Sequence, residues 1–313
     1  MSEYIFNLEL LRSAIGLSTP IILGALGAAI CLKSGISNLG IEGYMLMGAF
    51  SAVIVSYHTN NPYLGVLAAV IVGICVCLIF GVLHIHLKAN SIIAGLAVNL
   101  FADSFTSWLL VDVLDTGGSF SPADGVPGLP RFDFPMLKNI PIIASIFNNR
   151  NLLDYLNWLL IILLFFFMTR YFIGLRIRSV GEHPNAALTA GINPQKYKFL
   201  ALVLCGMLCG LGGAYVSLAS LRLFSKNMIA GKGFISFTTA VFASGNILPT
   251  SFVGFIFSAF LGLSIKMEGF GVPFHFVEMI PYAITIIALV FNSINVSRTH
   301  KRKTLLAQRD ISN

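Results

Sequence analysis

The sequence predicts an all-α, polytopic membrane protein with about 8 to 10 transmembrane segments in one domain over residues 1–313. Three observations lead there. Only 11% of the residues are charged and 56% are hydrophobic, with a mean hydropathy of +0.84. A soluble globular chain carries about 25% charged residues, so a water-soluble enzyme is excluded. Apolar runs near 20 residues recur, the length of a helix that crosses a ~30 Å hydrocarbon core. Runs such as WLLIILLFFFM, Trp158 to Met168, are apolar on every face, whereas barrel strands alternate apolar and polar over about 10 residues.

The runs fall at about 13–32, 39–57, 63–83, 90–112, 152–171, 198–221, 233–245, 251–265 and 276–294. Ahead of the first, MSEYIFNLEL carries Glu3 and Glu9 and no basic region, which is not the pattern of a cleavable signal peptide. Lys33, Ser34 and Gly35 separate the first two runs with too few residues for an ordinary loop, so one of the two is expected not to cross fully. The run at 233–245 is short. It predicts a tilted crossing or a broken helix, and broken backbone at membrane depth needs protein or a water-filled cavity to satisfy its polar groups. Its opening, AGKGFISFTT (230–239), is similar to SGISNLGIEG (34–43) at the second run, in the manner of a transporter's internal repeat. Gly210, Gly212 and Gly213, followed by Ala214, predict close helix packing. The five cysteines, Cys31, Cys75, Cys77, Cys205 and Cys209, lie inside apolar runs and read as packing residues, with neither a disulfide framework nor a metal site implied. His84 and His86 lie at a membrane edge on different helix faces and read as interfacial residues.

Charge sets the orientation. Of the 20 Lys and Arg, ten lie in two stretches: Arg170, Arg176, Arg178, Lys196 and Lys198, then Arg298, Lys301, Arg302, Lys303 and Arg309 in the tail. Excess Lys and Arg in loops marks the cytoplasmic side. The net charge of +7 therefore reads as membrane orientation, with no nucleic-acid partner. The loop at 172–197 and the basic tail at 298–313 lie inside, and one crossing back puts the polar interval 113–151 outside.

Within the inner loop, GLRIRSVGEHPNAALTAGINPQKY (174–197) reads as a short helix with punctuated ends. Pro184 suits a first helical position, Asn185 to Ala190 continue it, and Gly191 suits the left-handed residue that ends it. Asn193 and Pro194 then open the next helix. A helix of about seven residues cannot persist alone in water, so it should dock on something. There is no GxxxxGK[ST] phosphate loop; Gly231, Lys232 and Gly233 lack its spacing and its hydroxyl. If the chain pumps, the nucleotide is hydrolysed on another chain.

The stretch 174–192 resembles the coupling loop of the permease subunits of ATP-binding-cassette importers, in the group that serves sugars, nucleosides and branched-chain amino acids. SGISNLGIEGYMLMGAF (34–50), GLAVNL (95–100), GLGGAYVSLAS (210–220), MIAGKGFISF (228–237) and PYAITIIALV (281–290) are similar to that family's blocks, in its order. The NLGIEG form and the length most resemble the shorter permease subunit of bacterial nucleoside importers. The resemblance implies a subunit of the bacterial plasma membrane, with no catalytic residue or cofactor of its own, that moves nucleosides inward by alternating access. It further implies a cytoplasmic ATPase that uses ATP and Mg, a second permease subunit, and an external substrate-binding lipoprotein or periplasmic protein. ATPase coupling then falls on Gly181, Glu182, His183, Pro184, Asn185, Ala186, Ala187 and Gly191. Two features depart from the family: FASGNILPTSF (242–252) stands where many relatives have a Gly, an aromatic and a Pro, and Asp103 stands where a small residue is usual.

Four polar residues are candidates for the substrate path: Glu42, Asn99 and Asp103 inside apolar runs, and Asn38 at the edge of the second run. Asn38 and Glu42 are four apart, as are Asn99 and Asp103, so each pair shares a helix face. A carboxylate in the bilayer is costly and marks a functional site by default. Glu42 has two readings: contact with substrate, or pairing with a neighbouring helix or a backbone end. Asn99 reads as path-lining and Asp103 as a hydrogen-bonded structural acid. The rival functions are a permease for a sugar or amino acid, and an ion-coupled secondary carrier with Glu42 and Asp103 as its proton or sodium sites.

Overall fold

The computed structural model describes residues 8–122, 125–133 and 148–268. The chain divides into two compact units, residues 1–263 and 264–313, and the second contributes to the described residues only the end of the last helix. Among the described residues there are ten α-helices: α1 (Leu8–Lys33), α2 (Ile41–Thr59), α3 (Pro62–Gly81), α4 (Ser91–Asp112), α5 (Leu152–Arg170), α6 (Phe172–Glu182), α7 (Pro184–Thr189), α8 (Pro194–Ala214), α9 (Lys232–Phe242) and α10 (Ile247–Glu268). Two of them are prolonged by π-helical turns, α3 by Val82–His86 and α8 by Tyr215–Leu221. Asparagines start several helices: Asn61 accepts the Tyr63 N–H, Asn90 those of Ile92 and Ile93, and Asn193 those of Gln195 and Lys196. Eight of the nine apolar runs are thus helical, and the ninth, 276–294, lies outside the described residues.

Among the described residues six helices are long and apolar enough to cross a membrane, and they are of two kinds. In Ser13–Lys33 and Pro194–Leu221, 83% and 72% of the most apolar stretch is buried in protein, against 28–39% in the other four. The first two form the centre. The others turn Leu67, Ile71, Leu100, Phe101, Ile162 and Phe166 outward, each more than half exposed, as lipid-facing helices must. The less apolar α2 belongs with the centre, because thirteen of its 19 residues are buried. Its connection to α1 is seven residues of non-helical chain, 34–40, in which Ser34, Ile36 and Asn38 are buried. Of the three residues that separate the runs in the sequence, Lys33 ends α1, and Ser34 and Gly35 are only the start of the link. At the centre, small residues on α8 permit contact between backbones: a Cβ on Gly210 would overlap the Ala69 carbonyl, and one on Gly213 the Met45 carbonyl.

The short run is a broken helix. α9 has 11 residues, about 16 Å of rise, and its Ser236 hydroxyl donates to the Ile21 carbonyl in the middle of α1. Gly245, just beyond its end, packs against Ala29 and Lys33 at the end of α1. The half-crossing before α9 is irregular chain that begins at β4 (Phe224–Ser225), which pairs antiparallel with β1 (Ser119–Phe120). A second small pair joins β2 (Arg131–Phe132) to β3 (Arg150–Asn151). The β1–β4 pair puts the interval after Val113 and the segment at Arg222 at one end of the fold, as counting crossings requires. At the opposite end His86 packs on Phe199, which brings the turn after α3 to the basic loop.

Candidate functional site

Glu42 meets a backbone end in this structure. It begins α2, is 8% exposed, and accepts the Gly231 N–H on Oε1 at 2.8 Å and the Gly233 N–H on Oε2 at 2.6 Å. The first N–H groups of a helix have no intrahelical partner, and they form the positive end of its dipole. In the membrane interior a carboxylate is the acceptor that can satisfy both. A Cβ on Gly233 would stand 2.5 Å from the Glu42 nitrogen, so glycine is what lets the two segments meet. The two similar blocks, 34–43 and 230–239, are therefore joined to each other.

Two of the other three candidates, Asn38 and Asn99, flank the same joint. Asn38 is 1% exposed, accepts the Gly40 N–H and the Tyr44 hydroxyl on Oδ1, and turns its amide toward the sulfurs of Cys31 and Cys77. Asn99 bridges α4 to the start of α2: its Oδ1 accepts the Gly43 N–H at 2.8 Å and its Nδ2 donates to the Leu39 carbonyl at 2.9 Å. Asp103 differs from its expected hydrogen-bonded state. Its Oδ1 is enclosed with no hydrogen-bond partner, as is the Ser107 hydroxyl one turn further along α4. Asn38, Glu42 and Asn99 thus hold backbone, while Asp103 and Ser107 form an unsatisfied polar stripe. Among the described residues no group of three or more His, Cys, Asp or Glu is disposed to hold a metal ion; Cys205 and Cys209 simply pack with their sulfurs 3.9 Å apart.

The short helix α7 lies at the basic end, with Pro184 in its first turn and Gly191 beyond it at φ 78°. Its eight assigned residues divide by direction. Glu182, His183, Pro184, Asn185 and Ala186 are exposed, whereas Ala187 is buried at 5% and seats the helix on the core. Gly181 is turned inward: a Cβ there would overlap the Lys33 carbonyl, and a Cβ on Gly35 would meet the Gly181 Cα at 3.3 Å. Leu188, which sequence reasoning passed over, is 60% exposed on the same short helix. Behind it, the Arg176 guanidinium hydrogen bonds to the Tyr197 hydroxyl and lies 3.6 Å over the Phe172 ring, which fixes α6 against α8.

The family described as branched-chain amino acid transport system / permease component matches residues 10–289. The chain belongs to this permease family. Among curated relatives, the nucleoside ABC transporter permease protein NupC of Lactococcus lactis subsp. cremoris is 33% identical over 283 residues, 87% of this permease and 88% of the relative. The guanosine ABC transporter permease protein NupQ of Bacillus subtilis is 33% identical over 287 residues, with the same two coverages. The putative glucose ABC transporter permease protein TsgC13 of Haloferax volcanii is 32% identical over 242 residues, 76% of this permease and 71% of that chain. No solved structure matches. The permease is a multi-pass helical membrane protein.

One buried polar cluster of the permease went unread in the sequence. Asp154, 1% exposed in the first turn of α5, accepts the Thr19 hydroxyl at 2.6 Å and the Asn151 N–H at 3.1 Å. Tyr215 lies within reach of both Asp154 and Arg150, and a Cβ on Gly16, one turn before Thr19, would touch Arg150 Nη1 and Tyr215 Oη at 3.7 Å each. The available signal was Asn151 and Asp154, spaced as a helix cap before an apolar run. Asn157, on the same helix, is fully buried and neither its Oδ1 nor its Nδ2 has a partner. An enclosed amide without partners costs about 1–3 kcal/mol. Asn157→Leu, which has the same branching and the same number of side-chain heavy atoms, should therefore raise stability by about 1–2 kcal/mol, read as a higher thermal midpoint in detergent. A lower midpoint would show that the amide is satisfied in the native protein.

Proposed function

We propose that this chain is one transmembrane subunit of an ATP-driven importer of nucleosides, working by alternating access in the bacterial plasma membrane with its basic tail inside. The observation that carries this is α7. A six-residue helix with Leu188 exposed at the charged end of a permease has no use for that apolar side chain in water, and it fits a groove on a cytoplasmic ABC ATPase. The ATPase supplies the nucleotide site and uses ATP with Mg; this chain contributes no catalytic group. A second permease subunit completes the cavity, and an external lipoprotein or periplasmic protein delivers substrate.

Motion has a defined route inward. Only Glu182 and His183 separate Gly181 from α7, Gly181 abuts the turn at Lys33 to Gly35, and the non-helical chain from there leads through Asn38 to Glu42, which holds α2 to α9. A tilt of α7 therefore acts on backbone in the middle of the membrane through rigid contacts rather than through side-chain wires. The substrate assignment leans on the likeness to NupC and NupQ, and the likeness to TsgC13 supports a sugar as the second reading. The test is uptake of labelled purine and pyrimidine nucleosides by cells with and without this chain, with glucose as competitor. Uptake that requires the chain and resists glucose supports the first reading; uptake of glucose alone overturns it.

A further inference from the structure

We propose that the cavity at the basic end of the fold is a binding site for the phosphate headgroup of an anionic phospholipid. The cavity has a volume of about 230 Å³ and lies where the ends of α1, α5 and α6 meet the start of α10. Two cations converge on it. Lys33 is half-buried, its stem laid over Gly245 with Cε 3.4 Å from where a Cβ would stand. Arg178 is also half-buried, and its Nε is enclosed without a hydrogen-bond partner. Glu182 is close enough to act on Lys33 through space, but it is exposed, and among the described residues neither cation forms an ion pair. Two like charges held around one cavity ask for an anion.

The remaining walls state which anion. Asn246 adds an amide at the amino end of α10, where backbone N–H groups favour negative charge. Phe165, Met168, Ile247 and Leu248 supply an apolar side. From there the surface continues along the lipid-facing helices, through Leu248 and Phe252 on α10 and Phe166 and Ile162 on α5, which are 47%, 67%, 52% and 57% exposed. A free phosphate would leave that surface unused; a phospholipid places its phosphate between the cations and its acyl chains on the two apolar faces. Basic pockets between spanning helices bind anionic headgroups on this physical ground. The site adjoins Lys33, so it also braces the turn against which Gly181 packs.

The test uses the full chain in its assembled complex, placed in phosphatidylcholine vesicles with increasing phosphatidylglycerol and then examined by native mass spectrometry. The parent should retain one more phosphatidylglycerol per permease than a Lys33→Gln, Arg178→Gln double variant, whose half-saturating mole fraction should rise about thirtyfold. Lys33→Arg with Arg178→Lys keeps the charge and should keep the lipid. Independently of any charge variant, a Leu248→Trp reporter, read above the background of Trp108 and Trp158, should be quenched by brominated phosphatidylglycerol at lower mole fraction than by brominated phosphatidylcholine. Equal retention by parent and double variant, or equal quenching by the two lipids, overturns the proposal. Displacement of the lipid by millimolar inorganic phosphate would also overturn it, by assigning the cavity to the free anion.

Discussion

Ala186→Arg is expected to abolish copurification of the ATPase with the permease while the permease itself still folds and inserts. Ala186 is exposed on α7, so an arginine there has room in the isolated subunit. Against a docked partner the same side chain would overlap the groove and bury an unpaired charge, which costs several kcal/mol and weakens docking by at least about a hundredfold. The neighbouring alanine is the wrong place for this experiment. Ala187 is 5% exposed and its N–H and carbonyl are engaged by His183 and Ile192, so Ala187→Arg would unseat α7 from its own protein and lose the ATPase for an uninformative reason. Leu188→Glu is the better companion, because it removes an apolar contact without touching the core. Should Ala186→Arg hold the ATPase and transport at the parent rate, α7 is not the docking element.

The different fates of these two alanines show where sequence reasoning stops. Pro184 and Gly191 announce a short helix because each carries its backbone preference with it, and the structure has that helix, one residue shorter than read. Which face it docks with depends on α6 and α8, and nothing local to Ala186 or Ala187 encodes it. The spans were legible for the same reason as α7's ends: an apolar run long enough to cross is a property of its own residues. Glu42 was legible only as an anomaly. Its partners Gly231 and Gly233 are some 190 positions away, and a sequence cannot say whether a buried carboxylate faces a ligand or a helix end. The Thr19–Asp154 contact is separated by 135 residues and was missed outright, as was the meeting of Lys33 with Arg178.

Glu42→Ala is expected to lower stability by about 4 kcal/mol, and to do so without altering which substrate the surviving protein prefers. The carboxylate is the acceptor for two N–H groups at the start of α9, at 2.8 and 2.6 Å. Removing it leaves both donors in protein interior at membrane depth, where no water replaces the bond, and each unsatisfied donor costs about 1–3 kcal/mol. The positive end of α9 loses its counter-charge as well. Glu42→Gln separates these contributions. The amide retains one acceptor oxygen but points an NH₂ at the second N–H, so its loss should be about half that of alanine. The order parent, then Gln, then Ala, read from thermal midpoints in detergent, is the signature of a helix-end acceptor. Uptake ratios among nucleosides should stay constant across the three, because a group whose two oxygens are both committed to backbone has little left to offer a substrate. A Gln variant as stable as the parent but with altered selectivity would put Glu42 on the substrate path, and would mean that α9 moves away from it during transport.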